Sequence, residues 1–241
     1  MPGKCLIGTS GWSYSHWRGV FYPQGLKVSE ELSFYMRHFS SVEINNTFYR
    51  LPSEDAFRAW RKRAPEGFIY ALKGSRYITH MKKLKDPDEA LSLFLKRARL
   101  LKGGLGPVLF QLPPKWRKDT GRLKSFVGKL PRGLRFAFEF RDPSWFDDDV
   151  YEVLKEGGAA LCIYHMPGFS SPVLATAPFV YIRFHGTDFL YGGDYGKAEL
   201  RRWAGVIKGF LKEERDVYAY FNNDEAAYAV KNALELKEMV G

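Results

Sequence analysis

Two glutamates stand inside runs that are otherwise apolar and β-prone: Glu43 between Val42 and Ile44, and Glu139 between Phe138 and Phe140. Burying a carboxylate is costly unless it is paired or protonated, so a glutamate in such company marks either chemistry or a buried ion pair. In a partly desolvated pocket one carboxyl of the two would stay protonated near neutrality while the other stays ionised beside a cation, giving an acid and a base. The structural alternative pairs Glu139 with Lys73 or Arg183 as interior bracing. Lys73, Arg141 and Arg183 lie at or just beyond the ends of three β-prone runs, and Arg50 and Arg76 lie in the segments that follow such runs. Guanidinium forks suit phosphate or carboxylate oxygens, so these cations describe an anion pocket, unless they serve only to neutralise Glu43 and Glu139.

His185 follows Arg183 by two positions and precedes Gly186. It reads as an acid, a base or a ligand, or as a hydrogen-bonded core histidine. The other histidines, His16, His38, His80 and His165, show no two-histidine helical spacing. No cofactor is predicted, and a single divalent ion on Glu139 and His185 is the one metal arrangement left open. A dinucleotide fingerprint after a strand and a P-loop are both lacking.

Amides are scarce: Gln occurs at 24 and 111, and Asn at 45, 46, 222, 223 and 232. With plentiful Lys, Arg and Glu, this resembles the composition of proteins from hot environments. Asn45-Asn46 and Asn222-Asn223 are therefore candidate site residues, Asn45 sharing a strand face with Glu43 by alternation. Asn222, Asn223 and Asp224 open the last helical pattern, where free backbone amides favour an oxyanion and where helix capping is the plainer role. Trp12, Tyr14, Trp17, Tyr49 and Trp145 are placed to stack on a base or sugar ring, or simply to roof the fold. The glycine-rich segment 186–196 reads as a mobile lid.

These residues need a frame. β-Branched and aromatic runs at 5–8, 42–45, 68–73, 108–111, 135–140, 160–164, 180–185 and 217–221 predict eight strands. Helical patterns over 29–38, 53–64, 87–102, 120–130, 146–156, 197–214 and 224–239 lie between most of them. In 87–102, Leu91, Phe94, Leu95, Ala98 and Leu101 recur at helical spacing and the cations fall mainly outside. Such alternation in 241 residues predicts an α/β protein, a single (β/α)8 TIM-type barrel domain over 1–241, with one degenerate βα unit near 166–178. Chemistry in a barrel collects at the carboxyl ends of the strands, where most of the residues above lie.

A composition of 45% hydrophobic and 27% charged residues excludes disorder, coiled coil and collagen. No run approaches the roughly 18 apolar residues of a spanning helix, and no leader precedes the first strand, so the expectation is a cytoplasmic protein without a membrane partner. Cys5 and Cys162 lie in apolar runs and read as core. The net charge of +10 is uneven, with 21 Lys and Arg against 5 Asp and Glu over 58–135. That band attracts polyanions or is a solvated helical face.

The motifs GTSGW with WRGVFYP, VEINNTFYRLP, ITH, QLPP, EFRDPSW, RFHG and YFNND occur in this order over nearly the whole chain. They resemble those of the YecE-like proteins, also called domain of unknown function family seventy-two. The resemblance implies a TIM-type barrel and no settled activity. The family's fifth-strand motif often reads EFRH, where this chain has Asp142. The expected function is an enzyme, by weak preference a hydrolase, acting on a phosphorylated or other anionic substrate such as a nucleotide or nucleic acid component. Glu43, Glu139 and His185 would be catalytic. Trp12, Asn45, Tyr49, Lys73, Arg141, Arg183, Asn222, Asn223 and Asp224 would bind substrate. The alternatives are a non-catalytic nucleic-acid-binding protein using the 58–135 band, or a small-metabolite sensor.

Overall fold

The computed structural model describes residues 3–241. Eight parallel strands run β1 Cys5–Thr9, β2 Ser41–Ile44, β3 Ile69–Lys73, β4 Leu105–Gln111, β5 Phe136–Glu139, β6 Ala160–His165, β7 Phe179–Phe184 and β8 Asp216–Phe221. The helices are α1 Val28–His38, α2 Asn46–Tyr49, α3 Glu54–Arg63, α4 Asp88–Ala98, α5 Thr120–Val127, α6 Asp148–Glu156, α7 Lys197–Lys212 and α8 Tyr228–Val240. Each strand pairs with the next in sequence from β2 to β8, and β1 pairs with β8. The circle closes between β1 and β2 at a single bridge, Ser10 with Glu43, where Gly11 N–H donates to the Glu43 carbonyl at 2.8 Å. The expected eight-stranded TIM-type barrel is what the chain forms.

The seam between β1 and β2 requires Gly8: a Cβ there would collide with the Ser41 carbonyl oxygen. Below the bridge the Tyr35 hydroxyl from α1 stands in for the missing ladder. It accepts from Thr9 N–H at 2.9 Å and lies 3.1 Å from the Ser41 carbonyl, to which it donates.

The wall separates two apolar clusters. The larger packs helices against the outside of the strands. The smaller, with Leu6, Ala71, Leu109, Ala137, Ala160, Cys162, Tyr181 and Tyr220 among its members, fills the barrel interior. Alternation continues these inward faces upward, so the next inward layer is Ser10, Glu43, Lys73, Gln111, Glu139 and Arg183. Alanines at 71, 137 and 160 leave the lower interior open enough for Tyr181 and Tyr220, whose hydroxyls reach polar groups: Tyr181 to Glu43 at 2.7 Å and Tyr220 to Ser41 Oγ at 2.6 Å.

The unit after β6 is degenerate, as expected: residues 166–178 contain no helix. The segment folds back along β6, and its side chains satisfy the strand. Ser171 Oγ accepts from Tyr164 N–H at 2.8 Å, while Thr176 Oγ1 accepts from Leu161 N–H at 2.8 Å and donates to the Ala159 carbonyl at 2.7 Å. The last helix is shorter than expected. A 3-10 turn, Glu225–Ala227, precedes α8, and Ala226 and Ala227 hold left-handed φ values of 51° and 63°. Among the described residues, no helix is long and apolar enough to cross a membrane.

Tyr35→Phe removes the hydroxyl that bridges the seam and strands a buried N–H and a buried carbonyl. A loss of about 1–3 kcal/mol is expected in urea-melt stability, against a small change for the exposed Tyr77→Phe.

Candidate functional site

The inward layer at the carboxyl ends is a chain of alternating charge centred on Arg183, which is 0% exposed. Its Nη2 donates to Glu43 Oε1 and its Nη1 to Glu139 Oε2, both at 2.7 Å. Glu43 also accepts from the hydroxyls of Ser10 and Tyr181. Glu139 accepts from Arg141 Nε, with His185 Nε2 3.3 Å from Oε1 and the Cys162 thiol 3.8 Å from Oε2. Arg141 in turn reaches His185 Nε2 at 2.9 Å, and His185 Nδ1 faces the Asn222 carboxamide at 3.2 Å. Five strand ends thus converge on one buried cluster, and the sequence-predicted Glu43, Glu139, Arg141, Arg183, His185 and Asn222 belong to it.

Burial alone would raise both carboxyls. Arg183, with Ser10 and Tyr181, outweighs that at Glu43 and holds it below the ordinary glutamate value. At Glu139 the combined pull of Arg141 and Arg183, with the His185 imidazole in hydrogen-bond contact, overcomes burial and holds the carboxyl well below that value. The expectation of one protonated and one ionised carboxyl is therefore corrected: both are ionised, because one shared guanidinium satisfies them together. Burial pushes His185 down to about 3, so it is neutral.

Lys73 belongs to the layer and pairs with none of it. Among the described residues its amine has no carboxylate within ion-pair distance and no hydrogen bond, and it stands 4.2 Å from the centroid of the Phe48 ring. Of the two bracing pairs expected for Glu139, Arg183 forms and Lys73 does not. Burial first, and then Arg183, bring the Lys73 ammonium down to about 8, the pull of the two glutamates notwithstanding. Two carboxylates facing Arg183, Arg141 and Lys73 leave the layer with one positive charge in excess. His80, lowered to about 4 by burial and by Lys73, Arg76 and Arg141, lies in the same positive field.

Asn45 does not share a face with Glu43. The strand ends at Ile44, Asn45 turns into helical φ/ψ before α2, and its Oδ1 is buried without a partner among the described residues. With Trp12, Tyr14 and Asn46 it lines a hollow of about 270 Å³ between the β1 and β2 loops. Tyr49, 71% exposed, stands with its ring against Phe48. Trp17 and Trp145 are fully buried and act as roof: Trp17 Nε1 bonds Asp224 and Trp145 Nε1 bonds the Trp116 carbonyl.

The segment expected to present helix amides to an oxyanion does something else, because left-handed Ala226 and Ala227 separate it from α8. Asn223 donates to the Gly193 carbonyl and to Asn232 Oδ1, anchoring 186–196 from below. Asp224 accepts from Trp17 Nε1 and pairs with His16, its carboxyl raised to about 6 by burial. Segment 186–196 is tied at both ends, by Tyr195 to Gly186 and by Asn232 and Lys231 to Asp194. Its turn requires Gly186, where a Cβ would collide with the Phe189 and Gly192 carbonyls.

Glu139 and His185 do not suit a divalent ion, since Arg141 and Arg183 occupy the same lone pairs and would repel it. No cluster of three or more His, Cys, Asp or Glu is placed to hold a metal among the described residues. Among the described residues, seven of the 21 cations of the basic band are ion-paired: Arg58 and Lys96 with Glu54, Lys118 with Asp147 and Asp149, Arg122 with Asp119, Lys124 with Glu156, Lys129 with Asp88, and Arg135 with Asp216. Sequence reasoning passed over Ser10, Tyr181 and Gln111. All three follow from alternation, because each lies on the inward face of a strand that already carried a candidate or faced one.

A family model described as "Protein of unknown function DUF72" matches residues 6–241, and the chain belongs to that family. It is 28% identical to the YecE protein of Escherichia coli (strain K12) over 180 residues, which is 74% of this chain and 62% of YecE. With YunF of Bacillus subtilis (strain 168) the identity is 26% over 97% of this chain and 94% of YunF. A DUF72 family protein from Thermotoga maritima superposes with a TM-score of 0.89 at 29% identity, covering 98% of this chain and 99% of the other. A glycoside hydrolase family 5 enzyme from Prevotella bryantii, with a TM-score of 0.53 at 10% identity over 98% of this chain and 96% of that one, shares the fold alone.

Removing Arg183 leaves two buried carboxylates without a shared partner. Arg183→Met is expected to cost about 3–5 kcal/mol in urea unfolding at neutral pH. In the wild type, both depressed glutamates lend stability that is full above their ordinary 4.5 and is lost as pH falls through their lower folded values. His185, neutral down to about 3, adds a loss that begins below its ordinary 6.5. The urea midpoint should therefore fall steadily from pH 7 to 3, and the glutamate part of that fall should flatten in Arg183→Met.

Proposed function

We propose that this DUF72 family protein is an enzyme that takes a phosphorylated or other anionic small molecule, such as a nucleotide component, into the carboxyl-end mouth of its barrel. The observation that carries this reading is Lys73: a 9% exposed cation in a layer whose carboxylates are already satisfied by two arginines. A largely buried cation with no ion-pair partner among the described residues is under-compensated, and an anionic group of a substrate entering from the mouth supplies the partner. Arg76 at the rim adds to the attraction, and Trp12 and Asn45 offer a stacking face and an unpaired acceptor to the remainder of the molecule.

In this reading Glu43 and Glu139 hold Arg183 and Arg141 in place. Glu139, held well below the ordinary carboxylate value, and His185, down to about 3, are weak bases, so the group poised to exchange a proton near neutrality is Lys73 at about 8. Hydrolysis, in which water loses a proton as it attacks, would draw on that amine as its base. Nucleic acid binding through the 58–135 band is the second reading, since only seven of its 21 cations are ion-paired among the described residues.

The test is thermal unfolding at physiological salt with inorganic phosphate, pyrophosphate and a nucleoside monophosphate. At least one should raise the wild-type Tm saturably, and Lys73→Met should weaken that binding by about tenfold or more. Without ligand, Lys73→Met should be at least as stable as the wild type, because it removes an unpaired buried charge. No stabilisation at millimolar anion, or equal stabilisation of both proteins, would contradict the proposal.

A further inference from the structure

We propose that the amine of Lys73 is a nucleophile that forms an imine with the aldehyde or ketone carbonyl of an anionic substrate. The inference rests on the reading of the mouth as an anion site and names the substrate class more closely, as a small molecule bearing both a carbonyl and a negative group.

Four observations meet at this residue. Its side chain continues the inward face of β3 above Ala71, at the end of the barrel where chemistry collects. Among the described residues its amine has no hydrogen bond and no ion-pair partner: the neighbouring carboxylate oxygens are taken by Arg183, Arg141, Ser10 and Tyr181, and the amine stands 4.2 Å from the centroid of the Phe48 ring. Its surroundings disfavour the ammonium form, through burial and through Arg183 and Arg141, so that the pKa stands at about 8 and a useful fraction of neutral amine exists near neutrality. A lysine desolvated beside other cations is the activated form of this nucleophile. Finally Gln111, on the inward face of the adjacent β4, has its Oε1 buried with no partner among the described residues. An acceptor of that kind suits the hydroxyl of a carbinolamine.

The step balances without an oxidant or reductant. The amine lone pair forms the N–C bond while the carbonyl π pair moves to oxygen, and the carbinolamine that results loses water as the C=N bond forms. The oxygen departs with the two protons of the amine, so one aldehyde and one lysine give one imine and one water. Protonated, the imine keeps the positive charge that Lys73 brings to the layer, so the anionic group still finds its counter-charge. The protonated imine withdraws electrons from the neighbouring carbon, which opens cleavage or proton exchange at the position next to the carbonyl.

The experiment incubates the intact wild-type chain with glyceraldehyde 3-phosphate, or with glyoxylate, in the presence of sodium cyanoborohydride, which reduces an imine to a stable secondary amine. Modified residues are then mapped by peptide mass. Expected at pH 7.5 is a reduced adduct on Lys73 that forms at least about tenfold faster than on any exposed lysine, with a rate that rises around pH 8, whereas exposed lysines gain reactivity only toward about 10.4. Lys73→Arg should lose the fast phase and keep the slow surface labelling. Labelling spread over exposed lysines with Lys73 no faster would overturn the inference. Glycerol 3-phosphate, which has the anion and no carbonyl, separates the two claims. If it stabilises the wild type while Lys73 forms no adduct with either carbonyl compound, the imine fails and the anion site stands. If it does not stabilise the wild type and Lys73 labels no faster than the exposed lysines, both fail.

Discussion

The structure depends on one guanidinium. Arg183 holds Glu43 on one side and Glu139 on the other, joining β7 to β2 and β5 across the barrel. Each partner would be intolerable alone at zero exposure. The three together are stable because every carboxylate oxygen finds a donor, two of them from Arg183 itself. The consequence reaches beyond stability: with both glutamates committed, the remaining cation of the layer, Lys73, has no carboxylate within ion-pair distance among the described residues.

The barrel's lower interior makes this cluster sterically feasible. Alanines at 71, 137 and 160 leave room for Tyr181 to rise beneath Glu43 and for Tyr220 to reach Ser41. The outer architecture supplies rigidity at the points where the strand ladder is thin. Tyr35 bridges the β1–β2 seam, and Ser171 and Thr176 replace a helix along β6. Above the cluster, Asn223 and Asn232 tie down 186–196. Two of the scarce amides thus hold a loop, while a third, Asn222, faces His185.

Most of the framework was legible because period-two runs and 3.6-residue patterns are read from residue type alone, and the eight strands fall where those runs predict. The charged members of the site were legible for the same reason: a Glu or Arg at the end of an apolar strand has few explanations. The choice of partners was not. Lys73 and Arg183 are equally plausible for Glu139 in sequence, and only the barrel's circular geometry brings the reach of Arg183 to both carboxylates. Asn45 was misplaced because alternation was carried one residue past the end of β2. Asn222, Asn223 and Asp224 lie short of the helix because Ala226 and Ala227 adopt a left-handed conformation that alanine seldom takes, a feature with no sequence signal.

Membership of the DUF72 family and the barrel it shares with the Thermotoga maritima protein give the setting, and the charge arrangement gives the functional reading. Its central claim is that Lys73 is an uncompensated cation in a closed network. The most direct measurement is an NMR titration of the Lys73 side chain, with and without inorganic phosphate. The account predicts a midpoint near 8 in the free protein, moving upward when phosphate binds. A midpoint at the ordinary lysine value of 10.5, unmoved by phosphate, would contradict it.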